Sequence, residues 1–305
     1  MLLFSHADCQ DHAEPPGHPE QAARLVAVAR ALAGFDLERR AAPLAARADL
    51  LRCHPAGYLD RVAAAVPTEG WALLDGDTYL APGSLRAAER AAGGVCAAVD
   101  AVIAGETARA FVACRPPGHH AETAQAMGFC LFGSVAIGAK RALDHHGLSR
   151  VAVLDFDVHH GNGTQDLLWN EARAMFVSSH QMPLYPGSGA ASEVGAHGQV
   201  LNLPLRAGTG GAAMRAVWGP ALEKVRAFAP ELILLSAGFD AHEDDPLASL
   251  CWQAEDFRWL TAAICDLADA VCGGRVVSAL EGGYDLPALA ASVAAHVDAM
   301  LRSGG

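Results

Sequence analysis

Residues 151–165 read VAVLDFDVHHGNGTQ, in which a short apolar run passes directly into carboxylate and imidazole side chains. Three other apolar runs end in a similar way: residues 111–114 lead into RPPGHH, 232–235 into SAGFDAH and 276–280 into EGGYD. The runs show little alternation of apolar and polar residues, which is typical of strands buried on both faces of a parallel sheet. Because ligands bind outside the carboxyl ends of such strands, we expect the four ends to share one site.

Segments rich in Ala and Leu alternate with these strands and predict helices over residues 21–33, 84–104, 132–146, 211–227, 254–271 and 286–302. The pattern predicts an α/β protein with three α/β/α layers and a mostly parallel central sheet. No repeat or low-complexity linker divides the chain, which favours a single catalytic domain over residues 1–305. Residues 178–209 are rich in Gly, Pro and Ser and predict long loops at the active site.

The composition argues against nucleic-acid and membrane binding. The formal net charge of −12 is opposite to the clustered basic surface that a phosphate backbone requires. The amino terminus turns polar after four residues, too early for a signal peptide or a membrane span. Eight scattered cysteines without a CxxC pair indicate reduced, mostly buried thiols. We therefore expect a cytoplasmic protein, and the oligomeric state is left open.

Asp157 and His159 are two residues apart at the end of a strand, so their side chains point to the same side. Asp240 follows another buried strand. Two carboxylates, one imidazole and an open fourth position form the ligand set of a catalytic zinc, and ferrous iron also fits it. Each residue alone has a structural explanation as a cap, a turn former or a hydrogen-bonding group. The combination favours a metal site.

His119 and His120 follow the RPPG loop and are candidates for ligands or for proton transfer beside the metal. Each needs a partner that fixes its tautomer, and Asp155 and Asn162 are the nearest candidates in sequence. Because a carboxylate stabilises imidazolium more than an amide does, we expect one histidine to move a proton and the other to act electrostatically. Tyr284, at the tip of the EGGYD turn, could donate a hydrogen bond to a developing oxyanion.

In this order, the motifs resemble the zinc-dependent deacetylase family of the arginase/deacetylase fold. That family includes histone deacetylases, bacterial histone-deacetylase-like amidohydrolases and acetylpolyamine amidohydrolases. The resemblance covers nearly the whole chain, from His18-Pro19-Glu20 with Arg24, through RPPGHH, GFCLF at 128–132, DFDVHHGNGTQ and SAGFDAH, to EGGYD. Asn162 stands where class I members have Asp, which is similar to the class II and bacterial amidohydrolase members.

The resemblance implies zinc-dependent hydrolysis of an N-acyl amide, acetyl or short acyl, on an amine such as acyl-lysine. The three ligands named above would hold one Zn²⁺, which polarises the amide carbonyl and activates a water. His120 would be the general base and then the general acid, with His119 as its electrostatic partner on Asp155. Tyr284 would stabilise the oxyanion.

The resemblance also implies a structural K⁺ ion near Asp155. Its ligands would be the carbonyl oxygens of Asp157, His159 and Ser179 together with the Ser178 hydroxyl. These are hard oxygen ligands suited to an alkali cation.

Four further positions match the substrate tunnel of the family. Gly128, Phe129 and Tyr185 match the slot that holds an acyl-lysine chain, and Leu247 matches a residue at its rim. Polyamine-selective relatives have an acidic group at that rim, so Leu247 favours a neutral acyl-lysine. An acetylpolyamine amidohydrolase is the alternative, since other loops could supply acidic groups.

Two other classes of function compete with this hypothesis. A ureohydrolase of the same fold would need two manganese ions and further carboxylates in metal-binding motifs, which the sequence does not contain. A non-catalytic acyl-group sensor would have no use for a proton shuttle. We interpret the histidines outside the motifs as surface or capping residues: His6, His12, His54, His145, His146 and His197. His242 is left out of the ligand set because its AHEDDP context is typical of a solvated loop.

Overall fold

The computed structural model describes residues 1–302, in which eight parallel strands form a central sheet between two layers of helices. The strands are β1 Leu2–Ser5, β2 Glu38–Ala41, β3 Ala72–Leu73, β4 Tyr79–Leu80, β5 Arg109–Val112, β6 Val151–Asp155, β7 Ala174–Gln181, β8 Val200–Leu205, β9 Leu232–Ala237 and β10 Val276–Leu280. The helices are α1 Ala23–Ala31, α2 Arg47–Leu50, α3 Ala56–Ala65, α4 Ser84–Ile103, α5 Ser134–Asp144, α6 Asn162–Leu168, α7 Gly211–Phe228, α8 Ala254–Cys272 and α9 Leu286–Arg302. The predicted domain over 1–305 also includes residues 303–305, which lie outside this range.

The strand order of the sheet is β2-β1-β5-β10-β9-β6-β7-β8, and β3 pairs with β4 in a separate antiparallel hairpin. The four strands that the sequence associates with a site, β5, β10, β9 and β6, are consecutive neighbours in this order. In the register, Asp155 at the end of β6 lies beside Ser236 of β9, and Leu280 of β10 lies beside Ala237 of β9. The motifs that follow these strands therefore start at one edge of the sheet.

Helices α4 and α5 pack against each other and against the central strands, while α7, α8 and α9, with α1 beside α9, form the second layer. Every residue of β5, β6, β9 and β10 is buried, as expected for strands covered on both faces. Helix α8 begins with a capping box between Gln253 and Asp256, and it ends at Gly273 in the left-handed conformation. The predicted three-layer α/β/α architecture is confirmed.

The six predicted helices occur within two residues of their predicted bounds. The prediction of loops throughout residues 178–209 is wrong, because half of β7 and all of β8 lie in this range and leave loops only over residues 182–199 and 206–209. Pro204 contributed to the error, yet it is exposed on β8, the edge strand, where a missing N–H is tolerated. The short segments β1, β2, α2, α3 and α6 were not predicted.

Two further expectations concern the solution state of the protein. All eight cysteines are free thiols, and seven of them are buried, as predicted. Among residues 1–302, no helix combines the length and the apolar character that a bilayer span requires. The cytoplasmic location stays a prediction.

Candidate functional site

The structure brings Asp157, His159 and Asp240 together at the carboxyl ends of β6 and β9. One ligand atom from each residue lies within 4.8 Å of the others, and all three residues are buried. His159 Nδ1 is 3.1 Å from Asp157 Oδ1 and 3.1 Å from Asp240 Oδ2. A backbone N–H also holds the Asp240 carboxylate, since Val158 N–H donates to Asp240 Oδ1 at 2.8 Å. The three predicted ligand residues thus lie together in the structure.

The surroundings of this cluster fit a cation. Over the described residues, no Lys or Arg side chain forms an ion pair with Asp157 or Asp240, although buried carboxylates need a positive partner. Burial, and then the negative charge of Asp157, raise the pKa of Asp240 to about 7. A Cβ at Gly282 would overlap Asp240 Oδ2, while Gly282 N–H donates to Asp157 Oδ2 at 2.8 Å. The glycine lets the backbone pass against the ligands, and the donor set suits zinc or ferrous iron.

His120 is held in a defined tautomer by an amide. Asn162 Nδ2 donates to Glu122 Oε1 at 2.8 Å, which directs Asn162 Oδ1 toward His120 Nδ1 at 2.7 Å. His120 Nδ1 therefore carries the proton, and Nε2 of the neutral ring is free to accept one. Burial, and then the positive charges of His119 and His159, hold the pKa of His120 well below its usual range.

His119 lies against His120, with ring centroids 4.0 Å apart, but it has carboxylate partners. Its Nδ1 is 3.0 Å from Asp155 Oδ2, and its Nε2 is 3.7 Å from Asp157 Oδ1. Burial lowers the pKa of His119, but the charges of Asp157 and Asp155 outweigh burial and hold the pKa well above its usual range. The two histidines thus have the unequal partners that the sequence suggested.

Tyr284 forms one wall of a tunnel that leads to the cluster. The tunnel has a volume of about 240 Å³, and its lining residues are Asp77, His120, Gly128, Phe129, His159, Leu184, Tyr185, Leu247 and Tyr284. The Arg24 guanidinium lies 5.0 Å from the Tyr284 ring centroid. Burial, and then the charge of Asp240, hold the pKa of Tyr284 well above its usual range. The phenol therefore keeps its proton and remains a donor.

The four residues predicted to form the substrate slot all line this tunnel. Gly128 has a φ of +55°, and a Cβ at this position would overlap the His120 ring. Phe129 has a φ of 68°, and its N–H donates to Thr78 Oγ1 at 3.1 Å. Tyr185 is 39 % exposed, which places it at the mouth.

The residues predicted to bind potassium lie at the carboxyl ends of β6 and β7. Asp155 and Ser178 are cross-strand neighbours, and Asp155 Oδ1 accepts the N–H of Asp157 at 3.1 Å. Ser179 Oγ accepts the Trp218 indole N–H at 3.0 Å. The set is buried and rich in oxygen, and its role as a cation site stays a prediction.

Sequence reasoning missed several residues that support the site. Glu281 Oε2 accepts the backbone N–H groups of Gly118 at 2.6 Å and His119 at 3.1 Å, and burial raises its pKa to about 7. The EGGYD motif contains Glu281, but nothing in the sequence connects it to the histidine loop. Asp77 lines the tunnel, and its Oδ1 accepts the Gly128 N–H at 3.2 Å. The sequence around Asp77, DGDT at residues 75–78, is typical of an ordinary turn and therefore did not point to the tunnel.

The interpretation of His12 and His54 as surface or capping residues is wrong, since both are buried. His54 Nε2 accepts the Gly133 N–H at 3.0 Å. His12, Glu14 and Glu20 form a second cluster of potential ligands, but Arg115 pairs with both carboxylates and already supplies a cation. His242 is also buried, contrary to the solvated loop expected, and its Nδ1 accepts the Asp244 N–H at 3.2 Å.

Several known proteins are similar to this chain in sequence or in structure. The model of the histone deacetylase domain matches residues 18–300. The chain is 42 % identical over 281 residues to a histone deacetylase-like amidohydrolase of Pseudomonas aeruginosa. This match covers 90 % of this chain and 72 % of the relative. It is 39 % identical over 324 residues to histone deacetylase 14, chloroplastic, of Arabidopsis thaliana, covering 98 % and 76 %. The crystal structure of the HDA15 HD domain superposes with a TM-score of 0.93 and 31 % identity, covering 99 % of this chain and 91 % of that one.

Proposed function

Because this chain belongs to the histone deacetylase family, we propose that it is a metal-dependent amidohydrolase that removes an acetyl or short acyl group from an acylated amine such as acyl-lysine. One observation carries the proposal. The three buried ligand atoms within 4.8 Å of one another lie beside a tunnel that His120 and Tyr284 also line. An acyl group at the end of this tunnel would meet a Lewis acid, a base and a hydrogen-bond donor together. The substrate is an acylated amine rather than a nucleic acid or a lipid surface.

We assign Asp157, His159 and Asp240 as the ligands of one zinc ion per chain, with ferrous iron as the alternative. An ion bound there would polarise the acyl carbonyl and lower the pKa of the attacking water. Two carboxylates and one imidazole leave coordination positions open, as catalytic sites require.

The proton transfers follow from the tautomer of His120. With Nδ1 hydrogen bonded to Asn162, His120 Nε2 accepts a proton from the attacking water and then delivers it to the leaving amine nitrogen. His119, paired with Asp155, keeps a positive charge near the reacting atoms. Tyr284 donates its phenolic hydrogen to the developing oxyanion. We further propose that Asp155, Ser178 and neighbouring carbonyl groups hold a structural potassium ion that stiffens this end of the sheet.

A second candidate is hydrolysis of acetylated polyamines, which Asp77 favours. Its carboxylate is half-buried on the tunnel wall, where it could attract a second ammonium group of the substrate. Leu247 on the same tunnel favours a neutral chain. Comparison of acetylspermidine with an acetyl-lysine peptide separates the two candidates. Asp77→Asn, whose amide oxygen can still accept the Gly128 N–H, should weaken the polyamine reaction more than the acetyl-lysine reaction.

The test is hydrolysis of a fluorogenic acetyl-lysine reporter by the zinc-loaded protein, with inhibition by a hydroxamate and by a chelator. Tyr284→Phe should lower kcat by about 10²–10³-fold because it removes an oxyanion donor, while bound zinc stays unchanged. Tyr79→Phe, which lies outside the tunnel lining, is the matched control and should retain turnover. The proposal fails if the protein binds zinc yet hydrolyses neither acyl-lysine nor acylpolyamine substrates.

A further inference from the structure

Asp245 connects two walls of the tunnel without lining it. Its side chain is buried, with 6 % of the residue exposed, in the loop that follows Asp240. Its Oδ2 accepts the backbone N–H of Tyr284 at 2.7 Å, and its Oδ1 accepts the backbone N–H of Leu247 at 3.0 Å. A carboxylate thus ties the proposed oxyanion donor to the rim of the substrate slot, across 39 positions of sequence.

The bonds to Asp245 are stronger than ordinary loop contacts. A buried carboxylate that accepts backbone N–H groups forms short, charge-assisted hydrogen bonds. Over the described residues it has no Lys or Arg partner, so the loop amides are its direct stabilising partners. In return, Asp245 gives the EGGYD turn an acceptor for the Tyr284 N–H, directly after Gly283, whose φ is +118°.

Two ring contacts also hold Tyr284. Its ring packs edge-on against Phe129, with centroids 6.0 Å apart, and lies under the Arg24 guanidinium. Both contacts restrain the ring, whereas neither fixes the backbone of Tyr284. The Asp245 bond restrains the backbone at the ring's own residue. A small displacement there moves the phenolic oxygen, and catalysis is sensitive to displacements of about 1 Å.

We propose that Asp245 is a positioning residue for the reaction: it sets the Tyr284 hydroxyl in place and couples that position to the tunnel rim at Leu247. This inference rests on the proposed function, since it assigns Tyr284 the role of oxyanion donor. It follows that changes at the rim alter kcat as well as substrate binding.

Asp245→Asn tests the proposal with little change in shape. The amide has one acceptor oxygen, so its NH₂ group must face either the Tyr284 N–H or the Leu247 N–H. We expect kcat to fall by about tenfold or more. In the Tyr284→Phe background, the same substitution should cause no further loss of kcat, because the hydroxyl that it positions is already absent. Asp244→Asn, next to it and largely exposed, is the matched control and should leave turnover unchanged.

Equal fold-losses of kcat in the two backgrounds would show that Asp245 serves only general stability, and the proposal would be overturned. Unchanged kcat in Asp245→Asn would overturn it as well. Should that variant fail to fold, Asp245→Ser, which keeps one acceptor without an opposing NH₂ group, allows the same comparison.

Amide hydrogen exchange gives a second readout that needs no turnover. We expect faster exchange of the Tyr284 and Leu247 amides in Asp245→Asn and not in Asp244→Asn. Unchanged protection at both amides would contradict the coupling. An inactive wild-type protein would contradict the proposed function instead, while the exchange measurement would still decide the role of Asp245.

Discussion

Asn162→Asp should move the acid limb of the pH–rate profile to higher pH. In the proposed reaction His120 accepts a proton, so its neutral form would be the active one, and turnover should fall as pH falls through its pKa. In the wild type this pKa is held well below its usual range by burial and by the charges of His119 and His159, so the acid limb lies below about pH 6.5. A carboxylate at position 162 favours the protonated ring.

The size of the shift follows from two distances. His120 Nδ1 and Asn162 Oδ1 are 2.7 Å apart, so the charge centres of an imidazolium and a carboxylate would be roughly 4 Å apart. At an effective dielectric constant of about 20, their attraction is about 4 kcal/mol, or about 3 pKa units. Glu122, which accepts the Asn162 amide at 2.8 Å, would then face a second carboxylate and cancel part of the effect. We expect a net upward shift of about 1 to 2 units.

The assay is kcat/KM for an acetyl-lysine reporter between pH 5 and 9, with bound zinc measured at each pH so that metal loss is separated from protonation of the base. Combining Asn162→Asp with Glu122→Gln removes the repulsion and should enlarge the shift. An acid limb that stays in place in both variants would refute the assignment of His120 as the base whose tautomer Asn162 sets.

Three other perturbations follow from the packing around the site. Glu20→Gln should lower the free energy of unfolding in urea by about 3 to 5 kcal/mol, because the buried Arg115 guanidinium would lose its main partner. Asp60→Asn, in an exposed ion pair, is the control and should change the free energy of unfolding little. Chelation should lower the thermal midpoint as well as activity, and added zinc should restore both; an unchanged midpoint would show that no metal binds the folded state. Gly128→Ala should reduce kcat/KM at least tenfold with zinc retained, since its Cβ would displace the His120 ring, and full activity would contradict that contact.

Most of the candidate metal site was predictable because its geometry is local. Two residues separated by one position at a strand end point the same way, which places Asp157 and His159 together whatever the rest of the chain does. The apolar runs predicted their own burial, and the carboxyl ends of parallel strands meet at one edge, which made Asp240 a credible third ligand. The resemblance of the motifs to the deacetylase family then suggested a role for each of these positions.

The supporting contacts were not predictable, because they join residues distant in sequence whose distances depend on strand order. Glu281 holds the His119 loop only because β10 lies beside β5, and Asp245 reaches the Tyr284 turn only because β9 lies beside β10. Residue spacing along one strand is set by covalent geometry, whereas the separation between strands follows from packing of the whole core. The sequence by itself therefore determined the pair of candidate ligands at the end of β6, whereas only the tertiary structure decided the surroundings of His120 and Tyr284.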